Sequence, residues 1–184
     1  GLDNPRQMRM APNGDLYVVQ AGPGKILVFR NRNGVLAKTP ETVMSGLARP
    51  FGIAFYPVDK PQYIYVANTG SVVRFDYAHP GKAETIVAKL SPTGGHSTRD
   101  IVMSPDGRYI YVSVGSAGNV GEGIGKAPDG FVAGHALGEA WGNESGRALV
   151  LRFTPDGKDR TVVATGLRNC VGLGIRAETG DLYC

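Results

Sequence analysis

The sequence predicts an all-β protein of the β-propeller class, because one short phrase of sequence recurs along the chain. The phrase consists of an apolar strand, a tight turn and a second strand. Alternating apolar residues give the period of two that strands require, and Pro-Asn-Gly or Pro-Asp-Gly supplies the turn. No segment shows a convincing helical period.

A tyrosine in the second strand marks each copy of the phrase, at positions 17, 65, 111 and 183. The first two intervals, 17 to 65 and 65 to 111, are 48 and 46 residues, close to the ~40–50 residues of a propeller blade. The third, 111 to 183, is 72 residues, and its excess lies in a glycine-rich loop at 116–146. We therefore predict blades at about 4–46, 47–90 and 94–167, followed by a half blade at 168–184.

Two further strands follow each complete hairpin. Third strands are predicted at 26–29, 72–75 and 148–153, and outer strands at 41–44, 84–87 and 160–163. Four strands per repeat make a propeller blade. Since propellers usually have four to eight blades, about three and a half blades cannot close a ring. We expect the chain to be part of a larger propeller.

Composition and charge exclude several classes of protein. A chain with 42% hydrophobic and 20% charged residues is typical of a soluble globular protein, and no apolar run approaches the ~20 residues that span a bilayer. The net charge of +4 is spread along the chain, so no nucleic-acid interface is indicated. The loop glycines Gly121, Gly123 and Gly125 lack the strand-to-helix context of a phosphate site and indicate a long functional or flexible loop.

The repeat predicts where functional side chains converge, because the loops that precede the inner strands meet at the mouth of the central channel. Five positions before the first apolar residue of each inner strand stand Asp3, Ala48, His96 and Arg168, followed by Asn4, Arg49, Ser97 and Asn169. His96 and the Arg168-Asn169 pair should therefore lie on adjacent blades. A histidine is a candidate base, and an arginine can stabilise an anion.

Each candidate also has a structural interpretation. A lone histidine is usually structural, Arg168 could be a surface arginine, and Asn169 could cap a turn through its own side chain. Arg49 before Pro50 could be only a rigid start to a strand.

Four stretches resemble the glucose/sorbosone dehydrogenase family, especially its sorbosone and fungal pyranose dehydrogenase branch. They are Gly-Gly-His-Ser-Thr-Arg-Asp at 94–100, Gly-Arg-Ala at 146–148, Arg-Pro-Phe-Gly-Ile-Ala-Phe at 49–55, and Thr-Gly-Leu-Arg-Asn-Cys-Val-Gly-Leu at 165–173. The resemblance implies a six-bladed propeller that holds pyrroloquinoline quinone (PQQ) over the channel with Ca²⁺ bound to the cofactor.

The resemblance also implies roles for individual residues. His96 matches the base that removes the proton of a sugar hydroxyl, and Arg168 matches the arginine that stabilises charge on the quinone oxygen. Asn169 and Arg49 are placed as cofactor contacts, and the calcium ligands are expected beyond Cys184. A small sugar would be the substrate, and an external quinone or cytochrome would accept the electrons.

Two other functions remain open at this point. A calcium-dependent sugar lactonase would need a carboxylate on the channel axis, for which Asp3 is the candidate. A propeller can also serve as a non-catalytic binding scaffold, because fold does not imply function.

Cys170 and Cys184, the chain's two cysteines, flank the last hairpin. If they lie opposite one another across its ladder, their Cα atoms come within the ~4.4–6.8 Å that a disulfide allows. A disulfide would fit a periplasmic or secreted protein. The alternative is a pair of buried free thiols.

Overall fold

Three four-stranded antiparallel sheets follow one another along the chain, and a two-stranded hairpin follows them. The computed structural model describes residues 1–91 and 94–184. In the first sheet the strands are β1 (Pro5–Met10), β2 (Leu16–Gln20), β3 (Lys25–Phe29) and β6 (Glu41–Met44), with a small hairpin of β4 (Asn31–Arg32) and β5 (Val35–Leu36) between the last two.

The next two sheets repeat this meander. The second contains β7 (Pro50–Tyr56), β8 (Tyr63–Asn68), β9 (Val72–Asp76) and β10 (Glu84–Val87). The third contains β11 (Ile101–Met103), β12 (Ile110–Val114), β13 (Leu149–Phe153) and β14 (Thr161–Thr165), and the final hairpin contains β15 (Gly174–Ile175) and β16 (Leu182–Tyr183). This succession of sheets confirms the predicted all-β, β-propeller fold class.

The long segment between β12 and β13 contains two short 3-10 helices, Phe131–Gly134 and Gly142–Glu144. No helix in the described residues is long and apolar enough to cross a membrane.

The turn residues act as the sequence predicts. Gly14 and Gly107 have φ values of +82° and +69°, a conformation that glycine adopts without steric cost. At each of these turns the backbone N–H of the glycine donates back across the turn, to the carbonyls of Ala11 and Ser104 at 2.8 and 2.9 Å. The inner strands β1 and β11 therefore reverse directly into β2 and β12.

Successive sheets pack face to face, with an apolar core between each pair. Tyr17, Ile26 and Phe55 belong to the core between the first two sheets, and Ala54, Ile101 and Leu149 to the core between the second and third. A smaller cluster, with Val102, Val150, Cys170 and Leu173 at its centre, joins the third sheet to the final hairpin. Stacking of this kind buries both faces of the second sheet.

The inner strands of the second and third sheets approach very closely at Gly52. Its N–H donates to the carbonyl of Arg99 at 3.0 Å. A Cβ at this position would lie 2.7 Å from both the Arg99 carbonyl oxygen and the Ile101 nitrogen, closer than van der Waals contact allows. Glycine therefore permits this approach, which places the loops before β7 and β11 side by side.

Cys170 and Cys184 form a disulfide with a Cα–Cα distance of 5.4 Å, as the sequence predicts. The predicted position in the ladder was wrong. Only Gly174–Ile175 and Leu182–Tyr183 pair as strands, so both cysteines lie outside the ladder. Cys170 is held instead through its carbonyl, which accepts a hydrogen bond from Ser113 Oγ at 3.0 Å.

We expect alkylation of the unfolded protein without reductant to add no alkyl group, and alkylation after reduction to add two, because both cysteines are in the bridge. Intact-mass measurement of the two samples checks this. Two alkyl groups in the unreduced sample would show that the thiols are free.

Candidate active site

Gly115 and Ser116, directly after β12, join the two predicted site loops. The backbone N–H of His96 donates to the Ser116 carbonyl at 3.1 Å, and the Ser116 N–H donates to the Arg168 carbonyl at 2.8 Å. A Cβ on Gly115 would lie 2.5 Å from His96 Cβ and 2.6 Å from Asn169 Oδ1. The structure thus brings His96 and the Arg168-Asn169 pair together around these two residues.

The imidazole of His96 is oriented by Ser116. Its Nδ1 lies 2.9 Å from the Ser116 carbonyl oxygen and 3.0 Å from Ser116 Oγ. A carbonyl can only accept, so Nδ1 carries the proton. The Ser116 hydroxyl donates to the Gly118 carbonyl at 2.5 Å and therefore also accepts from Nδ1. In the neutral ring this leaves Nε2 as the acceptor, and Nε2 has no hydrogen-bond partner among the described residues.

Two buried arginines hold the backbone of His96. The His96 carbonyl accepts from Arg99 Nη1 at 3.0 Å and from Arg147 Nη2 at 2.9 Å. Arg147 Nη2 also donates to the Ser116 carbonyl at 3.2 Å, the same oxygen that orients the imidazole. Burial, together with the neighbouring Arg147 cation, lowers the pKa of Arg99 to about 10.

Glu144, at the end of the long loop, braces the segment after Ser116. Its carboxylate is buried and accepts from the N–H groups of Ala117 at 2.7 Å and Gly118 at 2.8 Å. A charged acceptor on two backbone N–H groups makes strong hydrogen bonds. This end of the predicted loop therefore supports the geometry of His96.

Asp100 fastens the final segment to the third sheet beneath the site. The carboxylate is completely buried and accepts from the N–H of Ile101 at 2.8 Å and of Leu173 at 2.7 Å. Arg9, on the inner strand of the first sheet, lies 3.7 Å from the same carboxylate and donates to the Ile53 carbonyl at 2.9 Å. Arg9 thus spans the inner strands of neighbouring sheets.

Arg168 and Asn169 present different groups. The Arg168 side chain is exposed and donates to Asn119 Oδ1 at 2.5 Å. The Oδ1 atom of Asn169 is buried and has no hydrogen-bond partner in the described part of the chain. Buried polar atoms are nearly always paired, so Asn169 indicates a position where a bound group supplies a donor.

Arg49 does not join the Ser116 cluster directly. It lines a separate pocket of about 330 Å³ together with Arg6, Asn4 and Ser97, and Ser97 is the residue next to His96. Asp3 lines a different pocket with Lys25 and Lys38. Within residues 1–91 and 94–184, no three His, Cys, Asp or Glu side chains are grouped to hold a metal ion.

A model of the TrAA12-like family matches residues 1–184, the whole chain. The chain belongs to the TrAA12-like family. No curated protein matches this TrAA12-like sequence significantly.

Solved structures share the fold of this TrAA12-like chain. A Thermus thermophilus protein assigned as an oxidoreductase (glucose dehydrogenase) is 24% identical, with a TM-score of 0.66 over 99% of this chain and 57% of that one. The PQQ-bound aldose sugar dehydrogenase of Streptomyces coelicolor is 22% identical, with a TM-score of 0.56 over 85% and 46%. A protein assigned as a gluconolactonase is 14% identical, with a TM-score of 0.60 over 99% and 55%. The chain thus spans about half the length of these structures.

Proposed function

We propose that this chain carries the general base and part of the cofactor site of a PQQ-dependent sugar dehydrogenase. The observation that carries the proposal is the His96 imidazole, whose Nδ1–H is bound by Ser116 so that Nε2 remains an acceptor. The Thermus and Streptomyces structures, a glucose dehydrogenase and a PQQ-bound aldose sugar dehydrogenase, support the same reaction class.

The chemistry assigned to His96 is proton removal from a sugar hydroxyl. A carbinol carbon releases hydride readily only as its O–H loses a proton, and a neutral imidazole is suited to take that proton near pH 7. His96 Nε2 would accept the hydroxyl proton while Ser116 continues to bind Nδ1–H. The carbonyl of Ser116 would then stabilise the imidazolium through the bond that it already makes.

The residues around His96 fit a quinone cofactor that bears carboxylates. PQQ, when bound, supplies the two-electron oxidant that the protein side chains lack. Asn169, whose buried Oδ1 has no partner in the described part of the chain, would contact the bound group, and Arg168 would offer a guanidinium to the developing oxygen charge. Arg49 would add a second cation from the neighbouring pocket, which Ser97 also lines.

The broader features of the complete protein belong to the same proposal. A six-bladed ring, Ca²⁺ held by ligands beyond Cys184, an external quinone or cytochrome acceptor and a sorbosone- or pyranose-type substrate accompany this function. The Cys170–Cys184 disulfide favours a periplasmic or secreted location, where disulfides persist.

The lactonase alternative gains no support from the site geometry. Asp3, its candidate metal ligand, lines a pocket with two lysines, and like charges repel, so neighbouring ammonium groups disfavour a bound calcium ion. An experiment distinguishes the scaffold alternative from the dehydrogenase, because a scaffold keeps its binding activity when His96 is replaced.

Replacing Arg168 by lysine in the full-length protein should weaken PQQ binding and lower turnover. A flexible ammonium cannot reproduce the planar guanidinium that donates to Asn119 and that we assign to the quinone oxygen. PQQ titration and steady-state rates measure the two effects.

Arg160→Lys, at an exposed position beside the outer strand β14, is the matched control and should behave as the parent. If Arg168→Lys also retains the parent's PQQ affinity and rate, Arg168 is a structural residue.

A further inference from the structure

The Ser116 carbonyl and the Ala117 N–H belong to one peptide group, which is planar and rigid. The two ends of this group point to different partners. The carbonyl oxygen lies 2.9 Å from His96 Nδ1, whereas the N–H donates to Glu144 Oε2 at 2.7 Å. A single peptide group therefore connects a carboxylate to the imidazole that we assign as the base.

The Glu144 side chain holds the N–H end of this peptide group. Glu144 is buried, with a relative exposure of 4%. Each of its two oxygens accepts one backbone N–H, that of Ala117 at 2.7 Å and that of Gly118 at 2.8 Å. An ionised carboxylate only accepts hydrogen bonds, and these are about twice as strong as bonds between neutral groups. Glu144 thus fixes the plane of the peptide group and, with it, the direction of the Ser116 carbonyl.

Three donors converge on the Ser116 carbonyl oxygen at the other end. They are the His96 backbone N–H at 3.1 Å, His96 Nδ1–H at 2.9 Å and Arg147 Nη2 at 3.2 Å. Hydrogen bonds in a chain polarise one another. The Glu144 charge at the N–H end therefore makes the carbonyl oxygen a stronger acceptor, which suits an atom that serves three donors.

Two cations lie on the backbone of the base. Arg99 and Arg147 donate to the His96 carbonyl at 3.0 and 2.9 Å. Because like charges repel, these guanidinium groups disfavour the imidazolium that forms when His96 accepts a proton. Glu144 lies on the same turn as Arg147, whose N–H donates to the Glu144 carbonyl at 3.0 Å. Its carboxylate opposes the repulsion.

We propose that Glu144 is a positioning residue for the general base, an inference that rests on the proposed function. Its charge acts through the 116–117 peptide group and strengthens the hydrogen bond on His96 Nδ1–H. When Nε2 accepts the hydroxyl proton, the imidazole becomes a cation, and the charge of Glu144 stabilises it from one peptide group away. The proton moves only from the hydroxyl oxygen to Nε2, so Glu144 remains ionised throughout.

The test compares Glu144→Gln with the parent in the full-length protein. The substitution removes the charge, keeps the shape of the side chain and leaves one oxygen acceptor. Glu139→Gln is the matched control, because Glu139 lies in the same loop and accepts the Ala136 N–H at 2.7 Å in an exposed bond. Circular dichroism shows whether each variant folds. Nuclear magnetic resonance of PQQ-free protein with isotope-labelled histidine then follows the His96 Nδ1 proton.

In Glu144→Gln the Nδ1 proton resonance should move upfield, because a less polarised carbonyl accepts a weaker hydrogen bond. The turnover rate with sugar and saturating PQQ should fall by about 10–100-fold, since a misplacement of about 1 Å costs on the order of 10²-fold. PQQ affinity should change much less. Glu139→Gln should match the parent in all three measurements.

The parent's Nδ1 resonance in folded Glu144→Gln would overturn the proposal, whether or not the protein oxidises sugars. An upfield resonance with the parent's turnover rate would also overturn it, because the strengthened bond would then not affect the reaction. If the parent oxidises no sugar, the proposed function fails, and the resonance alone decides whether Glu144 acts on His96.

If Glu144→Gln does not fold, Glu144→Asp replaces it in the same measurements. Aspartate keeps the charge but is shorter by one methylene, so it cannot reach both N–H groups at their present distances. The resonance and the turnover rate should then change in the same directions by smaller amounts. Parent values for both would show that Glu144 does not position the base.

Discussion

His96→Ala in the full-length, PQQ-loaded protein should lower the turnover rate by ~10²–10⁴-fold, the usual contribution of a general base. The reason is local, since the imidazole is the group whose free Nε2 can accept the hydroxyl proton. PQQ affinity should change much less, because His96 is assigned to the substrate proton and not to cofactor binding. Steady-state kinetics and PQQ titration measure both quantities.

His79→Ala is the control, because the His79 side chain is 93% exposed and lies beside Asp76 in a loop. It should retain the parent's rate. A turnover rate of His96→Ala comparable to the parent's would show that His96 is not the base. A different pair of results would favour the scaffold alternative. In that case the parent would bind sugar without oxidising it, and His96→Ala would bind sugar equally well.

Much of the fold could be predicted because residues close together in the sequence determine each strand and turn of the repeat. Apolar alternation and Asn-Gly or Asp-Gly turns determine a hairpin without reference to distant residues. Equivalent positions of the repeat then place loops at one end of the propeller. Counting along the repeat was therefore enough to predict that His96 and Arg168 lie on adjacent loops, which Ser116 joins in the structure.

The groups that orient His96 could not be predicted in the same way. Ser116 is 20 residues from His96 in sequence, and Arg147 is 51 residues away. Their contacts are hydrogen bonds from side chains to backbone carbonyls, which leave no periodic pattern. Glu144 lies in a loop without strand or helix periodicity, and only its buried contacts with Ala117 and Gly118 reveal its structural role.

Arg99 belongs to the Gly-Gly-His-Ser-Thr-Arg-Asp stretch, but nothing in the sequence predicts that its side chain is buried. Arginine is almost never fully buried unless it is paired, and here its partners are the carbonyls of His96 and Thr98. The disulfide shows the same limit. The hairpin predicted that the two cysteines lie close together. It did not predict that they lie outside the ladder, because the sequence does not show that only two residues of each strand pair.

Asp100→Ala should lower the free energy of unfolding by roughly 2–6 kcal/mol, because two buried N–H groups lose the acceptor that the carboxylate provides. The substitution leaves the buried N–H groups of Ile101 and Leu173 without their acceptor and removes the carboxylate beside Arg9. Each unsatisfied N–H costs about 1–3 kcal/mol. Urea titration followed by fluorescence or circular dichroism gives the change in midpoint and slope.

Two further variants distinguish the loss of the Asp100 hydrogen bonds from the general effect of removing an acidic side chain. Asp129→Ala removes an exposed carboxylate of the long loop and should leave the urea midpoint unchanged. Asp100→Asn keeps one oxygen acceptor but turns an NH₂ toward the second N–H. Its decrease in the free energy of unfolding should therefore lie between that of Asp100→Ala and zero. Because Leu173 follows the Arg168-Asn169 pair, loosening this contact should also weaken PQQ binding. An Asp100→Ala protein with the parent's urea midpoint would mean that Asp100 does not fasten the last segment to the third sheet.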